Sequence, residues 1–139
     1  MRVVLGTNIL VSALLSPFGP PARVLDLALT GEISPTYDDR ILAEYREVLA
    51  RPKFKFATGD VADTFIYLES EGLPVIARPL PVILSDADDL PFLEGAAEAD
   101  AVLITGNIEH YPKSMRGPIL VLSPAEFLQM WHRSPRGVP

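Results

Sequence analysis

Glu44, Asp89 and two short polar turns are the residues whose types and spacing could do chemistry in this 139-residue chain. Gly6-Thr7-Asn8 interrupts the apolar opening "MRVVL", and Thr105-Gly106-Asn107 interrupts the later run "AVLI". Both turns follow strand-like segments, where an α/β domain presents functional side chains, although such turns also arise for purely conformational reasons. Asp89 heads a helical stripe with Phe92, Leu93 and Ala96, so its carboxylate either caps the helix or reaches into a crevice. Asp86 and Asp88 add negative charge that a cap does not need. Glu94 and Glu98 fall off the stripe and are expected in solvent. Glu44 borders another apolar stripe one turn before Val48, while Glu47 points to water. A glutamate there is either solvated or joins Asp89 in one crevice. Gathered carboxylates are hard oxygen donors of the kind that hold a divalent cation.

The elements that must position these groups follow from periodicity. Met1–Leu5 reads as a buried strand, and Thr7 or Asn8 as the cap of a helix through Leu15, stopped at "SPFGPP". A second helix begins at Pro21 and ends before Gly31. "EISPTY" is a short strand. Asp38 or Asp39 then opens a helix with Ile41, Leu42, Tyr45, Val48 and Leu49 on one face, ended by Pro52. A fourth helix spans roughly 60–70 and closes at Gly72, with "LPVIARP" as the next strand. "DADDLPFLEGAAEAD" is a helix with an acidic head, "AVLIT" and "GPILVL" are strands, and "SPAEFLQMW" is the last helix. Short apolar strands alternating with helices predict an α/β fold, a central parallel sheet covered on both faces. A single domain over 1–132 with a flexible tail over 133–139 is expected.

Composition narrows the function classes. Hydrophobic residues are 48% and charged residues 22%, an ordinary globular balance, and there is no cysteine for a disulfide or thiolate–metal site. The opening carries no signal-peptide pattern, and no apolar run approaches the roughly 20 residues of a membrane span, so a cytoplasmic protein is expected. A net charge of −6 argues against electrostatic nucleic-acid binding over the whole surface. It does not argue against a nuclease, because a bound cation inverts the field at a carboxylate cluster. "RPKFKF" interleaves Arg51, Lys53 and Lys55 with two phenylalanines, either a phosphate-gripping and base-stacking segment or a helix end with core aromatics. His110, Tyr111, Lys113 and Arg116, after the late turn, either line a substrate entrance or are loop residues, with His110 as a metal ligand or general base the further alternative.

Taken in order, "VVLGTNILVSALL", "ILAEYREVLARPKF", "DADDLPFLEGAAEADAVLITGN" and "IEHYP" resemble PIN-domain proteins, specifically the toxin branch of toxin–antitoxin modules related to virulence-associated protein C. The resemblance covers essentially the whole chain. It implies a flap-nuclease-like three-layer α/β/α sandwich and an Mg²⁺- or Mn²⁺-dependent ribonuclease that leaves a 5′-phosphate and a 3′-hydroxyl. It also implies a homodimer restrained by an antitoxin. Carried over by position, the family's acids match Glu44 and Asp89, and its late-turn residue is Asn107, all three as metal ligands. The first acid of the family's L-D-T-N motif falls at Gly6, while Thr7 and Asn8 are retained. Thr105, Asp86 and Asp88 support the site in this reading.

Glycine at position 6 removes a ligand and a charge, so weak metal binding and impaired cleavage are expected; a tight-turn glycine is the alternative. The metal-free fold gains, since packed carboxylates repel one another. Two further function classes stand beside the impaired nuclease. One is a catalytically inert PIN module that binds RNA or an antitoxin. The other, more remote, is a phosphoacceptor or phosphatase α/β domain, for which neither strand end supplies the aspartate.

Overall fold

Val3, Val4 and Leu5 are completely enclosed, as a strand covered on both faces must be. They lie in β1 (Arg2–Leu5) of a computed structural model that describes residues 1–133. Among those residues the sheet also contains β2 (Ser34–Tyr37), β3 (Leu73–Pro74), β4 (Val102–Ile104) and β5 (Val121–Leu122). All pairings are parallel, in the order β3-β2-β1-β4-β5. Val3 pairs with Pro35 on one side and Val102 on the other, and Leu5 with Ile104. The helices are α1 (Thr7–Leu15), α2 (Pro20–Leu29), α3 (Asp39–Leu49), α4 (Thr58–Glu71), α5 (Leu90–Ala99), α6 (Lys113–Arg116) and α7 (Pro124–Arg133). α1 and α7 pack on α2, and α5 lies on β1, β2 and β4 with α3 against it. The result is the expected α/β sandwich around a parallel sheet.

Several elements differ from their sequence reading. The strand expected at "LPVIARP" is only Leu73–Pro74, although Val75 N–H still donates to the Tyr37 carbonyl at 2.9 Å. Pro79 and Pro81 cannot donate to a ladder, and 75–84 becomes an irregular strap. "GPILVL" likewise contributes only Val121–Leu122. The acidic-headed helix is two pieces, a 3-10 turn at Ala87–Asp89 and then α5. Gly72 ends α4 where nothing larger fits: a Cβ would sit 2.4 Å from the Leu68 carbonyl and 2.7 Å from the Tyr37 ring. Of the tail expected at 133–139, Arg133 is the last residue of α7 and the rest lies outside the described residues. Among the described residues no helix is long and apolar enough to cross a membrane.

Two polar expectations are corrected. Thr7 and Asn8 do not cap α1; its N-cap is Gly6, with no side-chain cap bond. Thr7 instead donates its hydroxyl to Glu44 Oε2, and Asn8 Oδ1 accepts the Gly106 N–H at 3.4 Å. Glu94 does not face solvent. It is 3% exposed, because the strap 75–84 covers that flank of α5, and it accepts from Arg40 Nη1 at 2.8 Å and Leu80 N–H at 2.7 Å. Glu98 is partly covered by the same strap, accepting from Arg78 N–H at 3.1 Å and Nε at 3.0 Å.

Candidate active site

In the order β3-β2-β1-β4-β5 the chain direction across the sheet reverses between β1 and β4, the place where open parallel sheets leave a crevice at their carboxyl ends. Gly6 N–H donates to the Ile104 carbonyl at 2.8 Å, prolonging the β1–β4 ladder by one step. The two polar turns therefore leave the sheet side by side. Thr7, Asn8, Thr105 and Asn107 line a cavity of about 400 Å³ that opens there. Glu44 enters from α3, and Asp86, Asp88 and Asp89 from the turn ahead of α5. Arg51, Phe54, His110 and Tyr111 complete the rim. Lys53, Lys55 and Lys113 do not line it.

Each acid is held by its neighbours. The Thr7 hydroxyl fixes Glu44, tying α1 to α3. Asp89 occupies the N-cap position of α5 in helical conformation (φ −79, ψ −20) yet makes no cap bond, so its carboxylate is not spent on the helix and lines the crevice. Asp86 caps the 3-10 turn Ala87–Asp89 ahead of α5, accepting the Asp88 N–H at 2.9 Å. Asp89 Oδ2 is enclosed and lies 3.1 Å from His110 Nδ1, a close contact that is not aligned as a hydrogen bond. Tyr111, which follows the late turn, lines the cavity and donates its hydroxyl to the Asp89 carbonyl at 3.1 Å. Its own carbonyl accepts from Arg116 Nε at 2.6 Å. Burial raises the Glu44 carboxyl above its usual range, opposed by the Thr7 hydroxyl and reinforced by Asp88, Asp89 and Asp86. Burial likewise raises Asp89, partly offset by His110.

The glycine is the exceptional member. Its φ of −60 and ψ of 148 suit any residue, so the backbone does not require glycine and the tight-turn explanation fails. A Cβ there would lie 3.0 Å from Asn8 Oδ1, 3.3 Å from the Ile104 carbonyl and 3.4 Å from Thr105 Oγ1. The fit is close but not closed, since the nearest atom ends a side chain. Among the described residues, no group of three or more His, Asp or Glu side chains is placed to hold a metal ion. Glu44 and Asp89 line one cavity with Asp86, Asp88 and the neutral oxygens of Thr105 and Asn107. That donor set suits a hard cation that keeps most of its water, as Mg²⁺ does with one or two carboxylates.

These shifts have a measurable consequence in chelator. A native carboxyl raised above its unfolded value binds more protons when folded, so stability falls as pH rises upward from 4.5, the ordinary glutamate value. The contribution is complete below that value and lost once the folded carboxyl ionises. Glu44→Gln keeps an acceptor for Thr7 and cannot ionise. A flatter decline of the thermal midpoint with pH is expected, with a gain at pH 7 under about 1 kcal/mol because solvent screens the group. A decline as steep as the parent's would show that Glu44 is not under this strain.

A PIN domain match spans residues 2–109. This chain belongs to the PIN-domain family. Gly6, Glu44, Asp89 and Asn107 all fall inside the matched PIN domain. "Uncharacterized protein MJ1680" of Methanocaldococcus jannaschii is 28% identical over 144 residues, covering 96% of this chain and 93% of its own. A chain of VapBC2 from Rickettsia felis, solved bound to a DNA fragment from their promoter, superposes on this PIN domain with a TM-score of 0.59. The match covers 88% of this chain and 98% of that one at 18% identity, a likeness of fold.

Proposed function

We propose that this PIN domain is a metal-dependent endoribonuclease, the toxin component of a toxin–antitoxin pair, weakened in this chain by glycine at position 6. The observation that carries the reading is the meeting of Glu44 and Asp89, distant in sequence, with Asn107 in one cavity at the β1–β4 crevice. Glu44 and Asp89 would hold Mg²⁺ or Mn²⁺, with the Asn107 carboxamide oxygen as a neutral third donor. When bound, such a cation lowers the pKa of a water nucleophile and offsets charge on the scissile phosphate. Thr7 keeps Glu44 in a single orientation, and Asp86 and Asp88 deepen the negative potential that draws a cation in. Arg51, at the rim, has the planar donor fork suited to an RNA phosphate. Thr105 holds the late turn by accepting the Asn107 N–H at 3.0 Å.

The missing carboxylate at position 6 leaves this set short of one charged donor. A protein antitoxin that inserts Arg or Lys among the carboxylates would make charge-assisted bonds there, and a homodimer belongs to the same reading. A single domain over 1–132 is the matching proposal for its extent. The inert PIN module is the second reading, favoured by the carboxylate pair where a nuclease profits from three.

The test is incubation of single-stranded RNA with the chain in Mg²⁺, Mn²⁺ or chelator, with the ends mapped. Slow, chelator-sensitive cleavage leaving 5′-phosphate and 3′-hydroxyl ends is expected, and it is lost in Glu44→Gln and Asp89→Asn. Cleavage that persists in both variants would overturn the site assignment.

A further inference from the structure

A second cavity, of about 430 Å³, opens between the end of α3 and the start of α4, within the size range of small-ligand sites. Leu49, Phe56, Val61 and Phe65 give it mostly apolar walls, and Arg46, Arg51 and Lys55 stand around it. Arg51 lines this cavity and the acidic one alike, so the two adjoin. The rings of Phe54 and Phe56 are stacked, with centroids 5.4 Å apart and planes 12° apart. Phe54 lines the acidic cavity and Phe56 the apolar one, which makes the stacked pair a wall shared by both. The Lys53 ammonium lies 5.1 Å from the centre of the Phe54 ring, and the Arg46 guanidinium 5.1 Å from that of Phe65. Residues 46–55 hold Arg46, Arg51, Lys53 and Lys55, four of the twelve Lys and Arg in a chain of net charge −6.

We propose that this cavity seats one unpaired base of a single-stranded RNA that crosses the Phe54–Phe56 wall from the acidic cavity, an inference that rests on the ribonuclease reading. A nucleotide is a flat apolar ring attached to an anion, and the cavity is an apolar slot with cations at its edge. The stacked rings give a strand a platform beside the site, since every base has a face that stacks on an aromatic. Arg46 and Arg51 are paired with Glu69 and Glu47 at the surface, so phosphates would exchange for carboxylates already in place. A docked peptide helix would instead need a groove several turns long with anchors at helical spacing. This cavity is short and ringed by charge. Duplex RNA cannot enter it, because its bases are paired and stacked, so the subsite selects single strands.

The test measures binding of fluorescent ten-nucleotide RNAs to the whole chain in chelator, at several salt concentrations. Phe56→Ala is expected to weaken single-strand binding about tenfold and to leave duplex binding unchanged. Lys55→Glu lies on an exposed side chain and leaves the packing intact. It should weaken single-strand binding and flatten its salt dependence by about one counterion. On the RNA side, an abasic ribose at the seated position should reproduce the Phe56→Ala loss and add nothing to it in combination. If the parent binds single strands while Phe56→Ala and every abasic position leave affinity unchanged, no base occupies the cavity. The subsite then falls, a protein partner becomes its occupant, and the ribonuclease reading stands. If the parent binds no single-stranded RNA at low salt, the ribonuclease reading falls and the subsite with it.

Discussion

Gly6→Asp is expected to tighten Mg²⁺ and Mn²⁺ binding and to raise cleavage of single-stranded RNA roughly ten- to a hundredfold, the scale at which metal sites lose affinity or rate when a supporting group is removed. The backbone at position 6 accepts an L-residue without strain, since φ is −60. The steric demand falls on Asn8 Oδ1, 3.0 Å from the new Cβ, and on the Ile104 carbonyl at 3.3 Å, each of which must give by a few tenths of an ångström. The hydrogen bond that Asn8 Oδ1 accepts from Gly106 N–H is long, at 3.4 Å, so little resists its movement. Electrostatics oppose the change only while the site holds no cation. A further carboxylate beside Glu44 and Asp89, both already raised by burial, lowers stability in chelator. Saturating cation then returns more than was lost, about 2.7 kcal/mol at a hundred times the dissociation constant. The expected pattern is therefore a lower thermal midpoint than the parent in chelator and a larger rise on adding Mg²⁺. Titration calorimetry and end-mapped cleavage read the two halves. Tighter binding without cleavage would establish the inert module, and no change in either would remove Glu44 and Asp89 from the role given them.

Sequence reading reached the two turns because the rule behind them is local: parallel strands end at the ligand edge, and Gly6-Thr7-Asn8 and Thr105-Gly106-Asn107 end strands. Glu44 lies inside a helix, where a solvated glutamate looks the same, and only its company and the family resemblance singled it out. Spacing could not decide Asp89, since a carboxylate before a helix has the same spacing whether it caps or not. The decision lies in the 3-10 turn at Ala87–Asp89, where Asp86 takes the cap and Asp89 is released. Gly6 was legible as an anomaly, but only its dihedral angles separate a lost side chain from a required glycine. "RPKFKF" was noticed for its composition. That its rings stack and divide two cavities depends on how α3 meets α4, which no window on the sequence contains. Strand lengths were overread where prolines lie beside them, after Leu73–Pro74 and before Val121–Leu122.

Arg40→Ala is expected to destabilise the fold by about 2–3 kcal/mol, a large effect from a residue that is half exposed and, in the sequence, one of several scattered arginines. Its guanidinium joins Glu94 Oε1 at 2.8 Å to Asp38 Oδ2 at 2.7 Å, and Asp38 Oδ1 caps α3 through Ile41 N–H at 2.9 Å. Glu94 was misread because a helical wheel describes one helix and omits the strap that covers it. Without Arg40 its carboxylate keeps a single donor, Leu80 N–H, inside a site only 3% exposed. Breaking a buried pair from one side costs about 3–5 kcal/mol, and water reaching the space left by the half-exposed Arg40 reduces it here. The asymmetry supplies the decisive comparison. Glu94→Leu removes the buried charge itself and leaves Arg40 to Asp38 and solvent, so it should cost less than Arg40→Ala. Arg40→Ala with Glu94→Leu should then be more stable than Arg40→Ala alone, by urea unfolding at neutral pH. Additive losses in the double variant would mean that Glu94 is not the charge Arg40 compensates. The strap held by Glu94 leads into Asp86 and Asp89, so a variant that frees it should also weaken cation binding in the Gly6→Asp background, coupling the buried ion pair to the cavity beyond it.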